Sequence, residues 1–370
     1  SCTAGKESIT QANNFIEQVE RLQDQQGLFS GWQYFVQLCV QETERPEVCF
    51  VCLQRLSHQV PKYTPSCREQ VRIALLQWFL QINPDSLGHI FPKFVKNKFA
   101  LLFALLLQAD YPASWPSAFE DLLKLLGRGV SGADIYLRIL QSIDEEIFEK
   151  DTQYWTDKTA QELQNNSKIK DALRVSPSLL DIANVWYQVL STCSNQGNSE
   201  ISLAELCLKI IEKWSRWVDL SLVANDKFMP ILYNLVETND TLRDNACDCL
   251  HELLDRGMAE PRDKLAFIEG LNMIPFLQRK IGFSKDERSN DKMETVARVV
   301  DTCCQELLEC RETIWEKAKI SGNEQELAQL ALDLQNCEQM LTQFLPLYWA
   351  YWLHPMYTVT NELQESLALW

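Results

Sequence analysis

Apolar residues recur along this chain at helical spacing. Ile135, Tyr136, Ile139, Leu140, Ile143 and Ile147 form one such set, and Leu203, Leu206, Cys207, Ile210, Ile211 and Trp214 another. Both follow the i, i+3, i+4, i+7 pattern, which places one apolar stripe on a helix of about 3.6 residues per turn. A third set, Leu242, Ala246, Cys249, Leu250 and Leu253, is opened by Asp240 or Thr241 as an N-cap and closed near Gly257. Period-two alternation is nowhere sustained, so strands are not expected.

Breaks between the periodic segments come at Glu44-Arg45-Pro46, Tyr63-Thr64-Pro65, Asn83-Pro84, Tyr111-Pro112, Gly127 to Gly132, Ser194 to Asn198 and Arg256 to Pro261. Helix pairs then start near Pro46, His89 and Gly132, in steps of about 43 residues that match a HEAT or armadillo unit. The beat is lost between Lys150 and Lys170, a polar stretch followed by a long helix carrying Val185-Trp186-Tyr187. It resumes near Glu200 and Thr241. The expected architecture is all-α, an α-α superhelix of antiparallel helix pairs over 7–42, 46–83, 89–127, 132–194, 199–238, 241–281 and 286–352. A further helix is expected to begin near Thr360. Each repeat buries its apolar face on the next, so a terminal repeat needs a polar outer cap. The last stretch instead holds Trp349, Trp352, Leu367, Leu369 and Trp370, which predicts further repeats beyond residue 370.

Composition agrees with helices. Of 370 residues 46% are hydrophobic, while 12 glycines and 13 prolines are too few for many tight turns. Thirty-five Lys+Arg against 51 Asp+Glu give a net charge of −16, which favours protein partners over non-specific binding to a polyanion; an RNA reader of this charge needs a local basic strip. No apolar run approaches the roughly 20 residues of a membrane span, and residues 1–8 lack the layout of a signal peptide. The chain therefore reads as intracellular and soluble, and most of its 13 cysteines as reduced core thiols.

Chemistry is sparse. Cys49-Phe50-Val51-Cys52 is a lone C-x-x-C, and Cys247, Cys249 and His251 have no second ligand pair, so zinc is not expected. None of the four histidines is flanked by a nucleophile motif, and no Walker A loop or dinucleotide fingerprint occurs. No catalytic residue, cofactor or metal is expected.

Four ordered blocks carry a family resemblance: Asp134-Ile135-Tyr136-Leu137-Arg138-Ile139-Leu140 with Ile143-Asp144, then Trp186-Tyr187-Gln188-Val189-Leu190, then the string from Trp217 to Phe228 (WVDLSLVANDKF), then Ala246-Cys247-Asp248-Cys249-Leu250. On these the chain resembles the exportin-T family, the tRNA exportins of the importin-beta/exportin superfamily, over its N-terminal portion. Asn97-Lys98-Phe99-Ala100 with Leu101 to Leu107, Tyr111-Pro112 and Trp115 is shared more widely among exportins. The resemblance implies a monomeric karyopherin that shuttles between nucleus and cytoplasm through the nuclear pore, touching nuclear pore proteins and carrying tRNA with Ran in its GTP form. It implies importin-beta N-terminal-like, Ran-facing HEAT repeats over 1–130, exportin-1-like repeats over 131–285 and further repeats over 286–370. Two alternatives stay open: a related karyopherin for another structured RNA or a protein cargo, and a helical protein-interaction scaffold without transport.

In this superfamily the second helices of the N-terminal repeats line the Ran site, which here implies 29–41, 66–81 and 116–126, with Gln33, Gln37, Arg68, Glu69 and Arg72 as exposed contacts. For tRNA, phosphates need aligned cations. Between Gly88 and Arg138 six basic residues (Lys93, Lys96, Lys98, Lys124, Arg128, Arg138) meet four acidic ones. Lys93 and Lys96, three apart on one helix face, and Arg128 are the expected tRNA contacts.

Overall fold

Proline and short polar side chains open the helices. Pro46, Pro65 and Pro261 occupy first-turn positions, where a missing N–H costs nothing. Thr64 accepts a hydrogen bond from the Cys67 amide at 3.3 Å, and Asn323 accepts one from Gln325 at 3.0 Å. The computed structural model describes residues 11, 13–23, 30–82, 91–149, 160–193, 198–279, 291–353, 357–363 and 366, and among these there is no β-strand. The expected break at Asn83-Pro84 and the apolar positions 367, 369 and 370 lie outside the described residues.

The chain divides into two compact units, residues 1–181 and 182–370. In the first unit, α1 (Gly31–Gln41), α2 (Pro46–Gln59), α3 (Pro65–Gln81), α4 (Lys93–Asp110), α5 (Ala118–Leu123) and α6 (Gly129–Ile143) alternate between two layers. Helices α2, α4 and α6 pack side by side in one layer; α1, α3 and the segment from α5 to Arg128 form the other. This is HEAT-type packing, and Phe79, Phe99, Phe103, Leu102 and Leu106 fill the space between the layers. Helix α7 (Ala160–Arg174) follows, and α8 (Ser178–Cys193) runs across the division. In the second unit α9 (Asn198–Ser215), α11 (Arg243–Asp255) and α14 (Asp291–Ile320) make one layer. The other contains α10 (Phe228–Thr238), α12 (Pro261–Gly270), α13 (Met273–Gln278) and α15 (Glu324–Trp352). A short α16 (Tyr357–Asn361) stands near the expected Thr360 start and packs on α14 and α15.

Two expectations need correction. The break at Gly127 to Gly132 is shorter than the glycines suggest: a 3-10 turn over Lys124–Arg128 leads straight into α6 at Gly129, whose φ is +63°. Gly132 lies inside that helix, where a Cβ would stand 1.9 Å from the Leu125 carbonyl oxygen. Its small size permits close approach of two backbones, not a chain reversal. Gly132→Ala should therefore lower stability by about 2 kcal/mol despite the better helix propensity of alanine, measured by urea unfolding.

The polar stretch between Lys150 and Lys170 likewise contains the start of a helix, α7, which precedes the predicted long one. Its buried positions among the described side chains are Asn166, Ile169 and Leu173, one face at i, i+3, i+7. An asparagine in that face hid the periodicity.

Candidate functional site

The layer formed by α1 and α3 carries the sequence-predicted partner contacts. Gln33 and Gln37 are exposed on α1, four residues apart, together with Tyr34 and Val40. On α3 the exposed positions after Pro65, itself exposed, are Ser66, Glu69, Gln70, Ile73, Gln77 and Gln81, a single stripe at helical spacing. Ile73 is 45% exposed and Val40 50%, so both helices present an amide-rich face dotted with aliphatic groups. In a chain of charge −16 such a face is unusually neutral. Interface cores lose charged residues in the same way.

Arg68 and Arg72 do not belong to that face, which corrects the expectation that they are exposed. Arg68 Nε donates to Asp110 Oδ1 at 2.8 Å and Arg72 Nη1 to Asp110 Oδ2 at 3.0 Å, with the Asp110 side chain 0% exposed. The Arg72 guanidinium also lies over the Trp115 ring, 4.7 Å from its centroid, and Arg68 donates to the Tyr63 carbonyl. Trp115 Nε1 in turn donates to Asp121 at 2.9 Å. Burial works against ionisation of Asp121, but Lys124, the Trp115 indole and the Ser117 hydroxyl together hold its carboxyl below the usual range. These residues lock α3, the end of α4 and α5 together. Both arginines are positioned by a carboxylate that ends the apolar run Leu101 to Leu107, and no partner is needed to explain them.

The residues of the expected basic strip are partly engaged within the fold. Lys93 is exposed at the start of α4. Lys96 Nζ, however, donates to Asp134 at 2.7 Å, and Arg138 bridges Asp134 at 2.8 Å and Asn97 at 2.7 Å. Arg128 reaches back one repeat to the Ile82 carbonyl at the end of α3, where a cation complements the helix dipole. Lys98 lies 5.6 Å from the centroid of the Phe50 ring, which meets Phe94 edge to face. Of the three residues expected to meet phosphate, the structure leaves Lys93 on the open surface and draws Lys96 and Arg128 into ties between repeats. Sequence spacing showed that Lys93 and Lys96 share a face; it could not show that Asp134 stands opposite, 38 residues away.

Such ties recur through the molecule. In the second unit Arg256 donates to the Ser215 carbonyl at 3.1 Å, Arg216 to Glu252 at 2.6 Å and Tyr233 to the Leu271 carbonyl at 2.6 Å. Their separations of 41, 36 and 38 residues are each close to one repeat, so the polar bonds link equivalent helices of successive units. The string from Trp217 to Phe228 is a self-capped junction. Asp219 accepts from the Ser221 amide at 2.9 Å, while Asn225 Oδ1 accepts from Lys227 at 3.0 Å and Phe228 at 3.1 Å. Among the described residues no cluster of three His, Cys, Asp or Glu side chains is arranged to hold a metal ion.

Comparison with known proteins agrees with this architecture. A family model described as Exportin 1-like protein matches residues 92–250. The chain is similar to exportin-T from Homo sapiens, 33% identical over 303 residues that cover 79% of this chain and 29% of the relative. Exportin-T from Danio rerio is 29% identical over 310 residues, 80% of this chain and 30% of the relative. For Arabidopsis thaliana the figures are 25% over 328 residues, 81% and 31%. The chain thus spans about three tenths of the length of the curated relatives it matches. On these figures the chain matches exportin-T along about four fifths of its own length.

Proposed function

We propose that this chain forms part of a nuclear export receptor that carries tRNA from nucleus to cytoplasm in a cooperative complex with GTP-bound Ran. Similarity to exportin-T is the observation that carries the reading, and the neutral α1–α3 face supports it as the Ran surface. Gln33, Gln37 and Glu69 are its polar contacts, with Ile73 and Gln77 beside them. Arg68 and Arg72 act behind the surface by fixing α3. Lys93 is the phosphate contact on α4, and Lys96 adds charge at the edge of its pair with Asp134. Two ligands on one helical-repeat carrier bind cooperatively when each favours the same arrangement of repeats, a coupling of typically about 1 to 3 kcal/mol.

The test is capture of labelled tRNA on the immobilised protein, with and without GTP-loaded Ran. Ran is expected to raise tRNA capture at least about fivefold. Gln37→Arg combined with Ile73→Arg, both on exposed positions, should weaken Ran capture roughly tenfold while thermal unfolding stays unchanged. Capture of tRNA that ignores Ran would overturn the carrier reading and favour a scaffold. Lys93→Ala with Lys96→Ala should make the salt dependence of tRNA binding shallower, and an unchanged slope removes α4 from the RNA site.

A further inference from the structure

Helix α7, which interrupts the repeat beat, builds a groove of about 610 Å³ against the ends of α2 and α4. Its polar wall includes His58, Gln108, Gln164, Asn165, Asn166 and Lys168, with Ser57 and aliphatic side chains completing it. Asn165 Nδ2 donates to the Gln108 carbonyl at 3.0 Å, and Gln108 Nε2 donates to Asn166 Oδ1 at 2.9 Å. Asn166 is thereby fixed with its oxygen occupied. Its Nδ2 is buried without a hydrogen-bond partner, although the residue is only 1% exposed. A buried donor left unpaired is costly, and the groove beside it is where an acceptor can arrive.

Charge narrows the occupant. Among the described residues lining the groove there is one lysine and one histidine and no carboxylate, in a chain of net charge −16. Four other surface grooves among the described residues each contain Asp or Glu. Lys168 and His58 are both exposed at the rim. An anionic, acceptor-rich ligand complements this arrangement. Nucleic acid fits less well: one lysine answers one phosphate, and among the described lining residues the His58 imidazole is the single ring and no guanidinium is present for a base to stack on.

We propose that this groove is a binding site for an acidic peptide segment, held by a side-chain carboxylate against Lys168 and His58 and by a main-chain carbonyl that accepts from Asn166 Nδ2. The amides of Gln164 and Asn165 match further peptide groups, since each side-chain amide offers both a donor and an acceptor. The site is independent of the α1–α3 face and of Lys93.

Fluorescein-labelled octaglutamate is the probe, read by anisotropy on the whole 370-residue chain. The overall negative charge repels it from most of the surface, so binding reports a local site, with screening beyond about 8 Å at physiological salt. Saturable binding is expected, weakened roughly tenfold by Lys168→Glu. Lys319→Glu, an equal charge change at an exposed lysine of the other unit, should leave it unaltered. Asn166→Leu should also weaken binding; should that variant unfold, Lys168→Glu still decides. Absence of saturable binding, or equal losses in the two lysine variants, overturns the site. Labelled oligouridylate that binds in place of octaglutamate and is lost on Lys168→Glu also overturns it, in favour of a phosphate site.

Discussion

Asp110→Ala is expected to lower the unfolding free energy of the first unit by about 3 to 5 kcal/mol, the range seen when one partner is removed from a buried ion pair. The carboxylate is the shared acceptor of two guanidinium groups whose side chains are only 11% and 8% exposed. Without it Arg68 keeps the Tyr63 carbonyl, and Arg72 keeps the Trp115 ring with Glu69 at 3.9 Å. A cation over an aromatic ring is worth about 1 to 2 kcal/mol, too little to offset two desolvated like charges at close quarters. Asp333→Ala gives the contrast. Asp333 accepts Arg262 through both oxygens, at 3.1 and 3.2 Å, but Arg262 is 55% exposed, so removing Asp333 should cost far less than removing Asp110. Urea unfolding followed by helical circular dichroism measures both, and a cost below about 1 kcal/mol for Asp110→Ala would show the arginines finding water. Arg72→Met, which keeps the stem over Trp115 and leaves Asp110 its other partner, should cost less than Asp110→Ala.

That triad also shows where sequence reading stops. Helices, their order and their pairing were legible because the apolar stripes recur at about 3.6-residue spacing and the repeats recur near 43 residues. Pro46 and Pro65 marked helix starts correctly, since proline acts through its own ring. Polar side chains act through partners about one repeat away, and no local pattern reveals whether Arg72 meets solvent or Asp110. The same holds for Lys96 and Asp134. Gln33, Gln37 and Glu69 remained exposed, on the outward stripes of α1 and α3. One signal was available: Asp110 and Asp134 each stand beside strongly apolar runs, where an ionised carboxylate calls for a cation. The groove at Asn166 offered no such signal, because its walls come from three helices separated along the chain.

The second unit depends on an aromatic cluster in a comparable way, and Trp214→Ala is expected to destabilise it by about 3 to 5 kcal/mol. Trp214 is 0% exposed and lies between two other indoles: Trp186 at 5.6 Å with planes at 87°, and Trp217 at 5.1 Å with planes at 45°. Trp186 comes from α8, Trp214 from the last turn of α9, and Trp217 opens the junction to α10. Truncation therefore removes contacts on two sides at once and leaves a cavity that two helices and a capped turn cannot easily collapse, because Arg256 and Asn225 hold the turn from outside the cluster. Trp214→Phe keeps an apolar ring and should cost about half as much. Near-ultraviolet circular dichroism adds a specific readout, since close indoles at large angles couple strongly. The near-ultraviolet signal should fall in Trp214→Ala before any loss of helix, and a signal that survives while stability drops would place the coupling elsewhere. Since the same turn begins the string from Trp217 to Phe228, loosening it should also release the Lys227 and Phe228 amides from Asn225, seen as faster hydrogen exchange at the start of α10. Exchange there that matches the unaltered protein would mean that the junction is held by its own caps and not by the tryptophans.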